Sequence, residues 1–254
     1  MSPIRTPPTC VVVVPCYNEA ERLHSDVFRS FALLNPGILF IFVNDGSSDR
    51  TADVLKALHS SVPDVTRVLE CPVNRGKAEA VRKGMTFALA EMKPRFAGFW
   101  DADLATPLDA IPDLLQVLEN RPGIDMVFGA RVKLLGRYIK RNPVRHYLGR
   151  SFATIVSTML RMPIYDTQCG AKLFRVNSGL ADVLREPFLS RWIFDVEILA
   201  RYIQMAKGDS TGLQERIYEY PLTVWKDIAG SKIRLKDFFR AFIELGKIYG
   251  RYLS

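Results

Sequence analysis

The sequence predicts an α/β domain with a mostly parallel central sheet and helices over both of its faces. Three observations carry that expectation. Apolar runs of strand length recur through the first half, such as Val11-Val-Val-Val14 and Leu39-Phe-Ile-Phe-Val43, and unbroken runs mark strands buried on both faces. Between them lie segments whose apolar residues repeat at helical spacing. Most of the strand-like runs end in a short polar cluster, and in such sheets ligands gather outside the carboxyl ends of the strands.

Taken in order, Val11–Val14 is the first strand, followed by a helix with Leu23, Val27, Phe31 and Leu34 on one face. Leu39–Val43 is the second strand, and Ala52, Leu55 and Leu58 mark the next helix. Thr66–Glu70 is the third. Ala78, Val81, Met85 and Met92 then share one side of a helix beginning just after Gly76. Phe96–Trp100 is the fourth strand. Thr106-Pro107-Leu108-Asp109 reads as a helix start, with Thr at the N-cap and Pro at the first helical position. Asp125–Gly129 is the fifth strand.

Composition narrows the class. The 254 residues are 48% apolar, enough for one well-cored domain. No stretch approaches the ~18 to 20 continuous apolar residues of a membrane span, and Met1–Pro8 carries no signal-peptide core. Cys10, Cys16, Cys71 and Cys169 have neither zinc nor thioredoxin spacing and read as reduced thiols of a cytoplasmic protein. Charge is uneven. No acid stands between Asp125 and Asp166, a stretch holding Arg131, Lys133, Arg137, Lys140, Arg141, Arg145, Arg150 and Arg161. These eight equal the net charge of +8. Such a block is either a solvated face or the footprint of an anionic partner, nucleic acid or a phospholipid surface.

Four loops at strand ends hold the chemistry. Asp101-Ala102-Asp103 sets two carboxylates one residue apart, which suits Mg²⁺ or Mn²⁺ shared with phosphate oxygens. Pro15-Cys-Tyr17-Asn18-Glu19 offers a ring for a base and a carboxylate for a ribose or amide donor. In Asn44-Asp45-Gly-Ser-Ser-Asp49, Asp45 is placed to accept from a pyrimidine N3–H. Asn74-Arg-Gly76-Lys77 puts a lysine at a helix N-terminus, where phosphate is favoured. Each loop alone also reads as ordinary turn chemistry. Their succession is what points to a nucleotide site. Neither G-x-G-x-x-G nor G-x-x-x-x-G-K-[ST] occurs, which argues against dinucleotide and P-loop sites.

The series P-x-Y-N-E, N-D-G-S-x-D-x-T, N-R-G-K and D-A-D resembles the inverting family 2 glycosyltransferases of the GT-A (nucleotide-diphospho-sugar transferase) fold. Gly129-Ala-Arg131, Asp166-Thr-Gln-Cys-Gly170, Arg191-Trp-Ile-Phe-Asp-Val-Glu197 and Trp225-Lys-Asp-Ile-Ala-Gly-Ser-Lys232 extend the likeness to the dolichyl-phosphate β-glucosyltransferases, and more loosely to the mannosyltransferases. Three departures are Asn44 and Leu104, where Asp and Gly are usual, and the missing N-terminal membrane anchor. The resemblance implies a single domain over 1–254: a nucleotide-sugar half (8–130), an acceptor half (131–234) and an amphipathic C-terminal helix (235–254).

The implied reaction moves glucose from UDP-glucose to a polyprenyl phosphate with inversion. Mannosyl transfer from GDP-mannose, another hexosyl transfer, and a non-catalytic nucleic-acid- or membrane-binding protein are the alternatives. Asp103, with Asp101, is expected to hold Mg²⁺ or Mn²⁺. Pro15, Tyr17, Asn18, Glu19, Asn44, Asp45, Gly76, Lys77, Asp101, Ala102 and Gln168 are expected around the nucleotide-sugar. Arg131, Lys226 and Lys232, with Arg145, are expected at the acceptor phosphate. Asp195 is either a base or glucose contact, or a buried cap of the helix after Trp192. Two stripes suit a lipid surface: Val144, Leu148, Ile155, Met159 and Met162, and Leu235, Phe238, Phe239, Phe242, Leu245, Tyr249 and Tyr252. The second stripe is open to membrane contact, self-association or core packing. The protein is expected at the cytoplasmic face of a membrane, peripherally attached, with no nucleic-acid partner.

Overall fold

The computed structural model describes residues 7–140, 143–228 and 235–254, with side chains at all of these except 143–146 and 235–239. Its strands are β1 (Cys10–Cys16), β2 (Ile38–Asp45), β3 (Thr66–Cys71), β4 (Phe96–Trp100), β5 (Met126–Ala130), β6 (Tyr138–Lys140), β7 (Ala171–Arg175), β8 (Ile217–Pro221) and β9 (Val224–Lys226). The helices are α1 (Ser25–Leu34), α2 (Thr51–Ser61), α3 (Lys77–Phe87, continued by a π-helical turn over Ala88–Met92), α4 (Ala110–Asn120), α5 (Pro143–Leu160), α6 (Ser178–Arg185), α7 (Phe194–Met205), α8 (Ser210–Gln214) and α9 (Leu235–Tyr252).

Seven strands pair in the order β3-β2-β1-β4-β7-β5-β8, and β6 pairs with β9 in a small separate ribbon. β1 to β4 run parallel, β5 runs parallel to β8, and β7 alone is antiparallel to both neighbours. The expected mostly parallel sheet is therefore present. The chain winds outward from β1 to β3, then returns to place β4 on the other side of β1. That reversal opens a crevice beyond the carboxyl ends of β1 and β4.

Why β1 needs an unbroken apolar run is visible in its two faces. Val11 and Val13 belong to the core beneath α3, α5, α6, α7 and α9, while Val12 and Val14 belong to the core beneath α1, α2 and α4. Gly84 marks where α3 lies closest to the sheet: a Cβ there would come within 2.4 Å of Val13 Cγ1.

Several expectations are corrected. The buried face of α1 is Phe28, Phe31 and Ala32, whereas Val27 and Leu34 are exposed. The helix starts only at Ser25, so Leu23 packs from the preceding turn and does not set the helical phase. Thr106 is not an N-cap. The buried Trp100 indole needs an acceptor, and its Nε1 donates to the Thr106 carbonyl at 2.8 Å. The chain turns back over the strand end to supply it, and α4 begins four residues later, at Ala110.

Over their described side chains, both proposed surface stripes are part core and part exposed. In α5 the buried residues are Phe152, Ala153, Val156 and Leu160; Ile155 is exposed, and Met162 is buried just past the helix. In α9, Ala241, Leu245 and Ile248 are buried in the cluster that includes α7, with Phe242 and Tyr252 packed against it. Tyr249 of that stripe is exposed. The α9 helix thus completes one layer of the sheet's cover. Val144, Leu235, Phe238 and Phe239 lie outside the described side chains. Ile248→Ala is expected to destabilise the fold by about 2–5 kcal/mol, the cost of a core cavity. Chemical denaturation measures it; an unchanged midpoint would mean that the helix is not core.

Candidate active site

A cleft of about 440 Å³ lies at the β1/β4 crevice. One wall is built from Pro15, Cys16, Tyr17, Glu19 and Arg22 after β1, Asp45 at the end of β2, Asn74, Gly76, Lys77 and Ala80 around the start of α3, and Asp101, Ala102 and Asp103 after β4. The other comes from Arg191 and Trp192 before α7 and from Arg240, Ala241 and Glu244 of α9.

Sequence reasoning brought Pro15, Tyr17, Glu19, Asp45, Gly76, Lys77, Asp101, Ala102 and Asp103 to one place, and the structure brings them together in this cleft. Their contacts refine the expected roles. The Asp45 carboxylate takes the N–H groups of Arg75 and Gly76 at 3.0 and 2.7 Å, so it shapes the turn into α3 as well as lining the cleft. Gly76 holds φ +97°, which glycine adopts without strain, and a Cβ there would meet Arg191 Nε at 2.8 Å. Glu19 is forked by Arg22 Nε and Nη2 at 2.9 and 2.6 Å.

Lys77 Nζ lies 2.5 Å from Asp101 Oδ1. Burial alone would lower the lysine pKa, but the carboxylates of Asp101 and Asp195 outweigh it and raise it. The N–H of Ala78, in the first turn of α3, is taken by the Arg191 carbonyl at 3.2 Å. The helix start therefore presents Lys77 to the cleft more than a ring of open N–H groups. Asp103 Oδ1 accepts from the Ala105 N–H at 3.0 Å. Burial, then the neighbouring charge of Asp101, raise the Asp103 pKa. Gly170 makes room for the pair, because a Cβ there would sit 1.8 Å from Asp101 Oδ2.

Three expected nucleotide-sugar ligands stand outside the cleft lining. Asn44 donates from Nδ2 to Glu70 Oε2 at 2.6 Å and accepts from the Ser47 N–H at 3.2 Å. Asn18, at φ 51°, accepts from the Ser48 N–H at 2.9 Å. Asn44 thus spends both ends of its amide on Glu70 and Ser47, and Asn18 spends its amide oxygen on Ser48. Gln168 donates its own N–H to Asp166 at 3.2 Å.

Asp195 is buried beneath the cleft, with Oδ1 2.6 Å from Lys172 Nζ. Burial raises its pKa, and Lys172 and Lys77 act the other way. Nor does it cap its helix. The N-cap position is Ile193, which makes no side-chain cap hydrogen bond; Ser190 Oγ instead shapes the turn before the helix, accepting from the Trp192 and Ile193 N–H groups at 3.1 and 2.7 Å.

The expected acceptor cations are dispersed. Arg131 donates from Nε and Nη2 to Asp166 at 2.6 Å each, a buried pair whose mutual attraction lowers the Asp166 pKa and raises that of Arg131 despite burial. It is a locked structural fork and lies outside the cleft lining, so it is not a free phosphate clamp. Lys226 is exposed; its N–H donates to the Ala105 carbonyl at 3.0 Å, two residues past Asp103. Arg145 and Lys232 lie outside the described side chains. The four cysteines are buried.

Arg22, Asn74, Arg191, Trp192, Arg240 and Glu244 line the cleft unpredicted. Asn74, Arg191 and Trp192 stood in quoted motifs, which was the available signal. Nothing local distinguished Arg240, one of several cations on an amphipathic helix.

With this geometry in view, comparison with known proteins identifies the architecture. The family model described as Glycosyl transferase family 2 matches residues 11–178. The chain belongs to that family. It is 31% identical over 248 residues to a dolichyl-phosphate beta-glucosyltransferase of Trichomonas vaginalis, spanning 93% of this chain and 69% of that protein. A human protein of the same name is 31% identical over 267 residues, covering 96% of this chain and 75% of its own length. Among solved structures, glucosyl-3-phosphoglycerate synthase from Mycobacterium tuberculosis with phosphoglyceric acid superposes at TM-score 0.68 and 19% identity, over 96% of this chain and 80% of that one. The same enzyme holding Mn²⁺, UDP and glucosyl-3-phosphoglycerate gives 0.67 at 19% identity, with the same coverage. The fold is that of the GT-A glycosyltransferases, as family members of this architecture are.

The raised Asp103 pKa has a testable sign. A folded-state value above the unfolded one means that this carboxylate favours folding at low pH and opposes it as the pH climbs through its range. Asp103→Asn is therefore expected to raise the metal-free melting temperature near neutral pH. The gain should shrink as the pH is lowered toward about 4, where carboxyls protonate. Thermal melts across that range measure it; a less stable variant at neutral pH would contradict the assignment.

Proposed function

We propose that the chain transfers glucose from UDP-glucose to a polyprenyl (dolichyl-type) phosphate with inversion, giving a β-glucosyl-phosphoryl-polyprenol. The carrying observation is the Asp101/Asp103 pair at the end of β4, opening onto a cleft shared with Tyr17, Asp45 and Lys77. The name shared by relatives about 30% identical over nearly the whole chain, dolichyl-phosphate beta-glucosyltransferase, supports the acceptor class and the sugar.

The carboxylate pair fits a hard divalent cation. Asp103 is destabilised in its charged form by burial and by Asp101, and a cation beside it relieves that cost. Among the described residues, no group of three or more His, Cys, Asp or Glu side chains converges to hold a metal. Further oxygens would thus come from a diphosphate and water, the habit of Mg²⁺ and Mn²⁺. Such an ion, held by Asp103 and Asp101, supplies charge neutralisation at the departing nucleoside diphosphate.

The chain's own residues do the rest. Tyr17 offers a ring to the base, and Asp45 and Glu19 lie beside it in the lining. Lys77 adds a positive charge next to the carboxylate pair. A phosphate monoester, with a second pKa of about 6, is mostly dianionic at neutral pH, so the attacking oxygen needs no strong base. That agrees with an Asp195 committed to Lys172 below the cleft. In this reading Lys226, Arg145 and Lys232 meet the acceptor phosphate, with positioning and charge stabilisation as their work.

The lipid acceptor implies a membrane surface. No helix among the described residues is long and apolar enough to cross a membrane. The segment after β5 instead exposes Leu134, Leu135 and Tyr138 beside Lys133, Arg137 and Lys140, and Tyr147 and Ile155 of α5 are exposed as well. Apolar tips flanked by cations suit an anionic bilayer interface.

Two measurements test the reading. Radiolabelled UDP-glucose, GDP-mannose and UDP-GlcNAc are offered with a polyprenyl phosphate. Transfer from UDP-glucose is expected, abolished by EDTA and by Asp103→Ala. Preference for another donor would reassign the sugar, and full turnover in EDTA would remove the metal. Separately, replacing Leu134 and Leu135 together by Asp is expected to cut co-sedimentation with phosphatidylserine liposomes several-fold; equal sedimentation would refute that contact.

A further inference from the structure

We propose that α9 supplies a phosphate-binding cation to the cleft, Arg240, aimed by Glu244 and anchored through Ser190. The inference deepens the proposed function and rests on it.

Four cations line the cleft: Arg22, Lys77, Arg191 and Arg240. Three are already engaged. Arg22 forks Glu19 at 2.9 and 2.6 Å. Lys77 pairs with Asp101 at 2.5 Å. Arg191 donates from Nε to the Arg75 carbonyl at 3.0 Å and from Nη2 to Asn74 Oδ1 at 2.7 Å. Those partners set loop geometry, and releasing the cations to a ligand would cost the loops their supports.

Arg240 differs. Its ion-pair partner among the described residues is Glu244, one turn along the helix, and the Nε–Oε1 distance is a long 3.5 Å. Its side chain is 69% exposed while that of Glu244 is 12% exposed. Arg240 lines the cleft, and most of its side chain is open to solvent there. A planar fork with spare donors is the side chain best matched to phosphate oxygens.

Glu244 is more than a surface partner. Its Oε2 accepts from Ser190 Oγ at 2.5 Å, and the same hydroxyl oxygen takes the N–H groups of Trp192 and Ile193. The residue that holds Arg240 is thereby tied to the turn before α7, the segment carrying Arg191 and Trp192. An ordinary exposed i,i+4 pair has no such connection. The arrangement also gives the core packing of α9 a purpose at the site: burial of Ala241 and Leu245 fixes the helix against the cleft mouth.

The phosphate served is either the donor diphosphate or the acceptor headgroup, and one variant series separates them. Calorimetry of UDP and of uridine with Mn²⁺ is run on wild type, Arg240→Ala and Arg240→Lys, together with KM for UDP-glucose and for a polyprenyl phosphate. Arg240→Ala is expected to weaken one phosphate ligand by about 10-fold or more, the effect of a lost charge-assisted contact. Uridine binding and melting temperature should stay unchanged, and Arg240→Lys should recover part of the loss. A weaker UDP affinity assigns the donor diphosphate; a raised polyprenyl phosphate KM alone assigns the headgroup. Both values within twofold of wild type in Arg240→Ala overturn the inference and leave the proposed function standing. A wild-type chain that binds no UDP overturns the donor reading and the inference with it.

Discussion

Too much negative charge in too little water is the constraint around which this molecule is arranged. Asp101 and Asp103 stand one residue apart at the end of a buried strand, and behind them Asp195 and Asp166 are buried carboxylates that both feel the charge of Lys172. Carboxylates in such surroundings are costly unless cations stand beside them. The structure supplies Lys77 to Asp101, Lys172 to Asp195 and Arg131 to Asp166. Asp103 is left with the Ala105 N–H and a raised pKa. In the proposed mechanism a divalent cation and the diphosphate complete that balance.

This view explains why several residues of conspicuous charge do not face the cleft. Lys172 is wholly buried against Phe99 and Phe128, also donating to the Cys169 carbonyl. Glu197 and Arg201 form another internal pair. Glu197 takes the N–H groups of Leu189 and Ser190, and Arg201 donates to the carbonyls of Val183, Glu186 and Pro187. Together they fold the chain between α6 and α7 so that Arg191 and Trp192 arrive at the cleft. Charged residues of the quoted motifs thus divide into those that would touch a ligand and those that hold its walls.

The two walls also relate sequence-distant segments. One is assembled from loops after β1, β2 and β4, as the topology of the sheet demands. The other comes from the segment before α7 and from the final helix. A helix first considered for a lipid surface is, over its described residues, part of the core and of the cleft. Leu134, Leu135 and Tyr138, between β5 and α5 in the basic stretch of the chain, are exposed, as are Ile243 and Tyr249 of α9.

What could be learned from the linear chain was whatever depends on local order. Strand runs in β1, β2 and β4 are legible because a strand buried on both faces must be apolar throughout. The loops at their carboxyl ends follow, since a parallel sheet delivers them to one side; hence Tyr17, Asp45, Lys77, Asp101 and Asp103 were found. Tertiary structure alone decided the partners. Asn44 and Arg131 look like ligands in a motif, but Glu70 and Asp166 occupy them from other strands and loops. The phase of α1, the face of α9 and the place of Arg240 depend on which surface lies opposite, and amphipathic spacing is the same whether a helix covers a sheet or a membrane.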